Sequence, residues 1–168
     1  MATKLENLEL ERAHFLHFKE HLPGYASLDK FTVQTLLDLG LLQVSTAFEY
    51  ALANCGGHSV ISEDQADISD GSEAKLSSVR TSSYGTSYSA NVSNTKNKTG
   101  MLRVQVYERK LQQFYYFLIP HSAYCQVGST SNIEIPFLLD GTPKRSYSPV
   151  RLPNWWKYEV SSFFELSQ

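Results

Sequence analysis

Apolar residues recur at helical spacing between residues 5 and 18, with glutamates and an arginine between them, and this pattern predicts a first helix. The segment HLPGYAS at 21–27 predicts a break, because proline and glycine interrupt helices. A second helix is predicted after Ser27, whose hydroxyl can cap it. Its apolar pattern runs past Gly40 to the glycine pair at 56–57, where a left-handed cap can end it.

After residue 57 the pattern changes to short β-branched or aromatic runs separated by turn residues, which predicts strands. The runs are HSVIS, ADIS, EAKLSSV, MLRVQVYE, FYYFLIP and NIEIPF. Residues 81–99 are dominated by Ser, Thr, Asn, Gly and Tyr, and we expect either a flexible loop or a weak hairpin there. The sequence therefore predicts one α+β domain over 1–168, with N-terminal helices (1–56) packed on a mixed or antiparallel sheet (57–168).

Membrane and secretory classes do not fit this chain. No apolar run approaches the ~20 residues that span a bilayer, and the N-terminus lacks the apolar core of a signal peptide. Cys55 and Cys125 have no CxxC partner and are expected to be reduced thiols. We expect a cytoplasmic protein with no membrane partner.

The small net charge of −2 conceals an uneven distribution along the chain. Residues 1–74 contain 12 acidic and 4 basic residues, whereas residues 75–111 contain 7 basic residues and a single acidic one. An acidic part followed by a basic segment suggests that the middle of the chain meets a polyanion. A basic face that only contacts solvent would give the same pattern.

The stretch ADISDGSEAKLSSVR carries the densest candidate chemistry, and its strand register decides what it can do. The Asp-Gly pair at 70–71 is a hairpin turn signal. A two-residue loop would set Asp67 opposite Ala74, so that its side chain points away from Glu73. A three-residue loop that includes the following serine would instead set Asp67 opposite Lys75 and on the same face as Glu73.

In the second register, this group suits phosphodiester hydrolysis. The carboxylates of Asp67 and Glu73, with the backbone carbonyl of Ala74, offer the oxygen ligands that Mg²⁺ prefers. Such a metal lowers the pKa of a bound water and neutralises charge on the phosphate. Lys75 would orient the attacking water and stabilise the transition state, or would act as a base if its pKa were lowered.

Asp67 followed by EAK at 73–75 resembles the signature of the PD-(D/E)XK nucleases, the superfamily of restriction endonucleases. The resemblance implies that Asp67, or alternatively Asp70, binds Mg²⁺ together with the glutamate of EAK, and that Mn²⁺ can substitute. It also implies a catalytic lysine in EAK. The family often has a further glutamate on the preceding helix, and Glu49 stands in that place.

The resemblance covers about residues 45–80 and implies a restriction endonuclease-like core. The helix that the family places after the third strand is replaced here by the polar residues 81–99. The implied function is metal-dependent endonucleolytic cleavage of DNA at a specific sequence or structure. Since one such site cuts one strand, double-strand cleavage would imply a homodimer.

The basic segment supplies the candidate contacts to DNA, because basic side chains neutralise phosphates and tyrosines can stack on bases. These candidates are Arg80, Tyr84, Tyr88, Lys96, Lys98 and Arg103. Two other classes fit the same sequence. One is a non-catalytic nucleic-acid-binding protein whose acids are surface residues, and the other is a β-rich protein-interaction module.

Overall fold

The structure is a computed structural model that describes residues 3–63, 66–93, 95, 98–125 and 132–168. These residues form five α-helices: α1 (Lys4–Phe18), α2 (Lys30–Asp38), α3 (Val44–Gly56), α4 (His121–Tyr124) and α5 (Phe163–Ser167). They also form eight strands: β1 (Val60–Glu63), β2 (Ala66–Ile68), β3 (Glu73–Thr81), β4 (Tyr88–Val92), β5 (Leu102–Glu108), β6 (Gln113–Ile119), β7 (Ile133–Phe137) and β8 (Glu159–Val160). Two 3₁₀-helices complete the described elements, Lys19–His21 and Trp155–Tyr158.

Six strands form one mixed sheet in the order β7-β4-β3-β5-β6-β8. The neighbours β3 and β5 are parallel, and every other neighbouring pair in this sheet is antiparallel. Strands β1 and β2 form a separate antiparallel ribbon. The predicted α+β class with helices on a mixed sheet is confirmed.

The sheet separates two apolar cores, because successive residues of a strand point to opposite faces. Ala74 and Leu76 of β3 face the helices and pack against the core that contains Phe18 and Phe48. Val79, on the other face of β3, belongs to the second core, which is formed by strand residues and closing side chains such as Trp155. Glu73 and Lys75 share the face of Val79, at the opposite end of the strand.

The helical part differs from its prediction at two points. Asp29, not Ser27, caps α2, and its carboxylate accepts a hydrogen bond from the Thr32 N–H at 2.7 Å. The predicted continuous second helix is wrong, because α2 ends at Asp38 and Gly40 adopts a φ of +70°. Helix α3 then begins afresh at Val44 and packs as a separate element.

The backbone also tests the predicted glycine cap at 56–57 and the predicted loop or hairpin at 81–99. Gly57, with a φ of 74°, forms the left-handed cap of α3, and its N–H is donated to Ala53 O. Of the two expectations for the polar segment, the hairpin is confirmed through Val92, where β4 runs antiparallel to the end of β3. None of the described helices is long and apolar enough to cross a bilayer.

Candidate functional site

The chain reverses sharply between β2 and β3. The Gly71 N–H is donated to Ile68 O at 2.9 Å, and Gly71 has a φ of +89°, a conformation that only glycine adopts readily. The N–H groups of Asp67 and Ile68 are both donated to Ser72 O, at 3.0 and 3.1 Å. Strand β2 pairs with β1 and forms no described ladder with β3. The predicted facing of Asp67 and Lys75 across such a ladder is therefore wrong.

A side chain replaces strand pairing as the link between β2 and β3. The Asp67 Oδ2 atom accepts a hydrogen bond from the Ala74 N–H at 2.9 Å. The preceding N–H, that of Glu73, is donated to Met101 O at the start of β5. Because backbone groups alternate between the two edges of a strand, the Ala74 carbonyl lies on the same edge as the Asp67 carboxylate. Asp67 therefore lies beside the EAK stretch, as the nuclease hypothesis requires.

Glu49 of α3 adds a third carboxylate to this position. Burial is the largest cause that raises the pKa of Glu49, and the negative charges of Asp67 and Glu73 raise it further, to about 7. Like charges raise the pKa of a carboxyl group because its ionised form is repelled. Glu49 therefore lies close enough to Asp67 and Glu73 to feel both charges, although the three residues belong to different elements.

Glu73 is the most enclosed member of this group, with a relative exposure of 5%. Its Oε1 atom lies 3.1 Å from Lys98 Nζ and 3.8 Å from Lys75 Nζ. Its Oε2 atom is buried and accepts no hydrogen bond within the described part of the chain. Burial raises the pKa of Glu73, and the neighbouring Asp67 adds to this effect while the two lysines oppose it.

Lys75 is two residues from Glu73, so their side chains share one face of β3. Burial lowers the pKa of Lys75, and the charge of Lys98 lowers it further, whereas Glu73 and Asp67 oppose the change. A half-buried lysine with a lowered pKa beside carboxylates is a recurrent feature of functional sites. We refer to Glu49, Asp67, Glu73, Lys75 and Lys98 as the carboxylate–lysine cluster.

Asp70, the alternative metal ligand, has a different set of contacts. Its Oδ2 atom lies 2.5 Å from Arg103 Nη2, and its Oδ1 atom accepts from the N–H and hydroxyl of Ser72. Burial alone would raise the pKa of Asp70, but the hydrogen bonds from Ser72 and Arg103 lower it to about 2. Asp70 therefore holds the turn, and Asp67, not Asp70, lies against the EAK stretch.

Two of the predicted DNA contacts are buried, and these assignments are corrected. Arg103 is 3% exposed and donates to Asp70, Ser72 and the carbonyl of Leu166. Tyr88 is also 3% exposed, and its hydroxyl donates to Glu108 at 2.6 Å. Arg103 is buried because β5 is covered on both faces, and Tyr88 is buried because it lies on the face of β4 that packs into the core.

The other predicted DNA contacts differ in their exposure and in their partners. Tyr84 lies in the β3–β4 turn and is 89% exposed, so its ring can reach a ligand. Arg80 is exposed and donates to Asn7 Oδ1 at 2.8 Å. Lys96 lies outside the described residues. Lys98 belongs to the carboxylate–lysine cluster, a position that charge counting along the sequence missed because its partner Glu73 lies 25 positions away.

The donor set of the cluster suits a hard cation. Within the described residues, no group of three or more His, Cys, Asp or Glu side chains is arranged to hold a metal ion. The carboxylates of Asp67 and Glu73 with the Ala74 carbonyl would nevertheless supply oxygen ligands, the type that Mg²⁺ prefers. The Oε2 atom of Glu73 accepts no hydrogen bond within the described residues, so a cation could take it as a ligand.

Comparisons of the chain with protein-family models, with curated proteins and with solved structures found no match.

Proposed function

We propose that the protein is a metal-dependent endonuclease that hydrolyses DNA phosphodiester bonds at the carboxylate–lysine cluster. The observation that carries this proposal is the environment of Glu73. Its carboxylate is enclosed, contacts two lysine ammonium groups through one oxygen, and has no described hydrogen-bond partner for the other. Acids and lysines packed this closely, with shifted pKa values, suit a reaction in which a water is activated beside an anionic phosphate.

The residues of the cluster would have distinct roles. Asp67, Glu73 and the Ala74 carbonyl would hold Mg²⁺, or Mn²⁺ in its place, and Glu49 would support Asp67. The bound ion would supply an activated water and offset the charge that builds on the phosphate. Lys75 would donate a hydrogen bond that orients the attacking water and would stabilise the charge on the phosphate. In its neutral form, which the lowered pKa makes more accessible, Lys75 would instead accept the proton of the water.

The order of elements supports a restriction endonuclease-like core as part of the proposal. Glu49 lies on α3, and β1, β2 and β3 follow it in the order that the resemblance implies. The parallel neighbour of β3 is β5, but the chain reaches β5 through the strand β4 and not through a described helix. The proposed core therefore comprises α3, β1–β3 and β5, and the β4 hairpin is an addition to it.

We also propose DNA contacts, an oligomeric state and a compartment for the protein. DNA would be contacted by Arg80, Tyr84 and Lys98, with Lys96 as a further candidate. Cleavage of both strands would require a homodimer, because one site cuts one strand. The two cysteines are unpaired in the structure, which supports a reducing compartment such as the cytoplasm.

The direct test is nicking of DNA by the purified protein. Supercoiled plasmids and a randomised duplex library should be cut in Mg²⁺ or Mn²⁺ and left intact in EDTA. Glu73→Gln should abolish cutting, whereas the control Glu134→Gln, a glutamate of β7 outside the cluster, should cut as the wild type does. A parallel set of RNA substrates identifies the preferred nucleic acid.

Two results would contradict the proposal. DNA binding without cutting, in either metal and across the whole library, would indicate a non-catalytic nucleic-acid-binding protein. No binding to any nucleic acid would instead favour a protein-interaction module.

A further inference from the structure

Lys98 makes the closest ionic contact in the carboxylate–lysine cluster. Its Nζ atom lies 3.1 Å from Glu73 Oε1, compared with 3.8 Å for Lys75 Nζ. The Lys98 side chain is only 18% exposed, although it comes from the connection between β4 and β5. A lysine that loses most of its hydration to reach an enclosed carboxylate is unlike the exposed lysines that neutralise a DNA backbone.

The backbone after Lys98 is packed closely against the β2–β3 turn. A Cβ atom added at Gly100 would lie 1.9 Å from Gly71 O, so only glycine allows this approach. The Gly100 carbonyl accepts a hydrogen bond from the Tyr124 hydroxyl at 2.5 Å. These contacts tie the segment that carries Lys98 to the turn that precedes Glu73, and they position Lys98 at the cluster.

The Glu73 carboxylate is shared by two ammonium groups. Its Oε1 atom contacts Lys75 and Lys98, whereas its Oε2 atom accepts no described hydrogen bond. A divalent cation that binds this carboxylate would compete with both lysines for it. A lysine displaced from Glu73 would find a new anionic partner in the phosphodiester of the substrate.

We propose that Lys98 is a second catalytic lysine of the site, which pairs with Glu73 in the metal-free protein and contacts the scissile phosphate once a divalent cation takes that carboxylate. This inference rests on the proposed nuclease function. This move transfers no proton and breaks no covalent bond, because the Lys98 ammonium group only leaves Glu73 for the phosphate. Lys75 remains beside Glu73 on the same strand and acts on the water.

The first test measures Mn²⁺ binding in the absence of DNA. Lys98→Met removes the group that competes with the cation for Glu73, and we expect it to bind Mn²⁺ about fivefold more tightly, the scale of one ion pair of about 1 kcal/mol. Lys30→Met is the matched control, because it removes an exposed lysine at the start of α2 and leaves Glu73 untouched. Equal Mn²⁺ affinity in the two variants would overturn the inference.

The second test measures single-turnover cleavage at saturating Mn²⁺ and DNA. Lys98→Met should cut at least about tenfold more slowly than the wild type despite its tighter metal binding, because the phosphate loses one preorganised charge. Lys98→Arg keeps the charge and should recover part of the rate. If Lys98 only stabilised the fold, Lys98→Met would have a lower melting temperature. It would not combine tighter Mn²⁺ binding with slower cleavage.

The outcomes separate this inference from the nuclease proposal. If the wild type cleaves DNA and Lys98→Met cleaves at the same saturated rate, the catalytic role of Lys98 is overturned and the nuclease stands. If Lys98→Met binds Mn²⁺ more tightly and no protein cleaves, the nuclease and the phosphate contact are both overturned, and only the pairing with Glu73 survives. If no variant binds Mn²⁺, both proposals fail.

Discussion

The carboxylate of Asp67 accepts a hydrogen bond from the backbone N–H of Ala74, the middle residue of the EAK stretch, at 2.9 Å. This bond joins a side chain of β2 to the main chain of β3. The described residues of these two strands form no ladder with each other. It holds Asp67 against the backbone residue that follows Glu73.

Substitutions of Asp67 should separate this structural role from metal binding. Asp67→Asn keeps an oxygen that can accept the Ala74 N–H, so its melting temperature should stay close to that of the wild type. Asp67→Ala leaves the N–H without its acceptor and should be less stable by about 1 kcal/mol. Both variants lose a carboxylate of the proposed metal site, and both should bind Mn²⁺ at least about tenfold more weakly. Unchanged Mn²⁺ affinity in Asp67→Asn would show that Asp67 is not a ligand.

Glu49 should make the stability of the metal-free protein depend on pH. Its pKa is raised to about 7 by burial and by Asp67 and Glu73, so the folded protein holds a proton that the unfolded chain releases near pH 4.5. The free energy of unfolding should therefore fall as pH rises from about 4.5 to about 7 and level off above that.

Glu49→Gln should remove this dependence. The variant should resemble the wild type at pH 4 and be more stable at pH 8, by on the order of 1 kcal/mol, since a half-buried group keeps part of its hydration. Urea unfolding in EDTA at both pH values measures the difference. A variant less stable than the wild type at pH 8 would contradict the raised pKa.

Lys75 tests the chemistry of the proposed reaction. Lys75→Ala should bind DNA almost as the wild type does but cleave it at least about a hundredfold more slowly, the scale of losing one electrostatic or proton-transfer group. Glu73→Ala should be at least as severe and should also weaken Mn²⁺ binding. Single-turnover cleavage and a fluorescence binding assay give the two quantities. Near-normal cleavage by folded Lys75→Ala protein would remove Lys75 from the mechanism.

Arg103 tests the correction made to the DNA contacts. Arg103→Met breaks a buried ion pair and leaves Asp70 without its cationic partner, which should lower the free energy of unfolding by about 3 kcal/mol. Asp70→Asn should also destabilise the protein, by less because this side chain is more exposed, while leaving Mn²⁺ affinity unchanged. Denaturant unfolding measures both effects. If Arg103→Met keeps full stability but loses DNA binding, the original assignment returns.

Sequence pattern alone predicted most local features and failed where distant parts of the chain meet. The helix after HLPGYAS and the strands follow from spacing and turn residues that act locally, whereas the predicted facing of Asp67 and Lys75 failed because β2 pairs with β1. The long second helix was wrong because its apolar spacing continues across Gly40, whose left-handed backbone interrupts the helix. A period of apolar residues does not by itself reveal such a break.

The buried positions of Tyr88 and Arg103 could not be predicted in the same way. Both occur near polar residues that are typical of exposed loops, yet strand order places them under other elements. Tyr88 meets Glu108 across 20 positions and Arg103 meets Asp70 across 33. Their burial depends on the β7-β4-β3-β5 neighbourhood, which no local pattern specifies.

The parallel pairing of β3 with β5 has a consequence for how the protein folds. Glu73 lies opposite Leu102, 29 positions further along the chain, so this pairing must close a long loop before it gains hydrogen bonds. Helices form from local contacts and precede such closure, and sheets with distant pairings are slow to form. A refolding chain should therefore regain its far-ultraviolet helical signal before it regains Mn²⁺ binding, since Glu73 reaches its final surroundings only when β5 has joined β3.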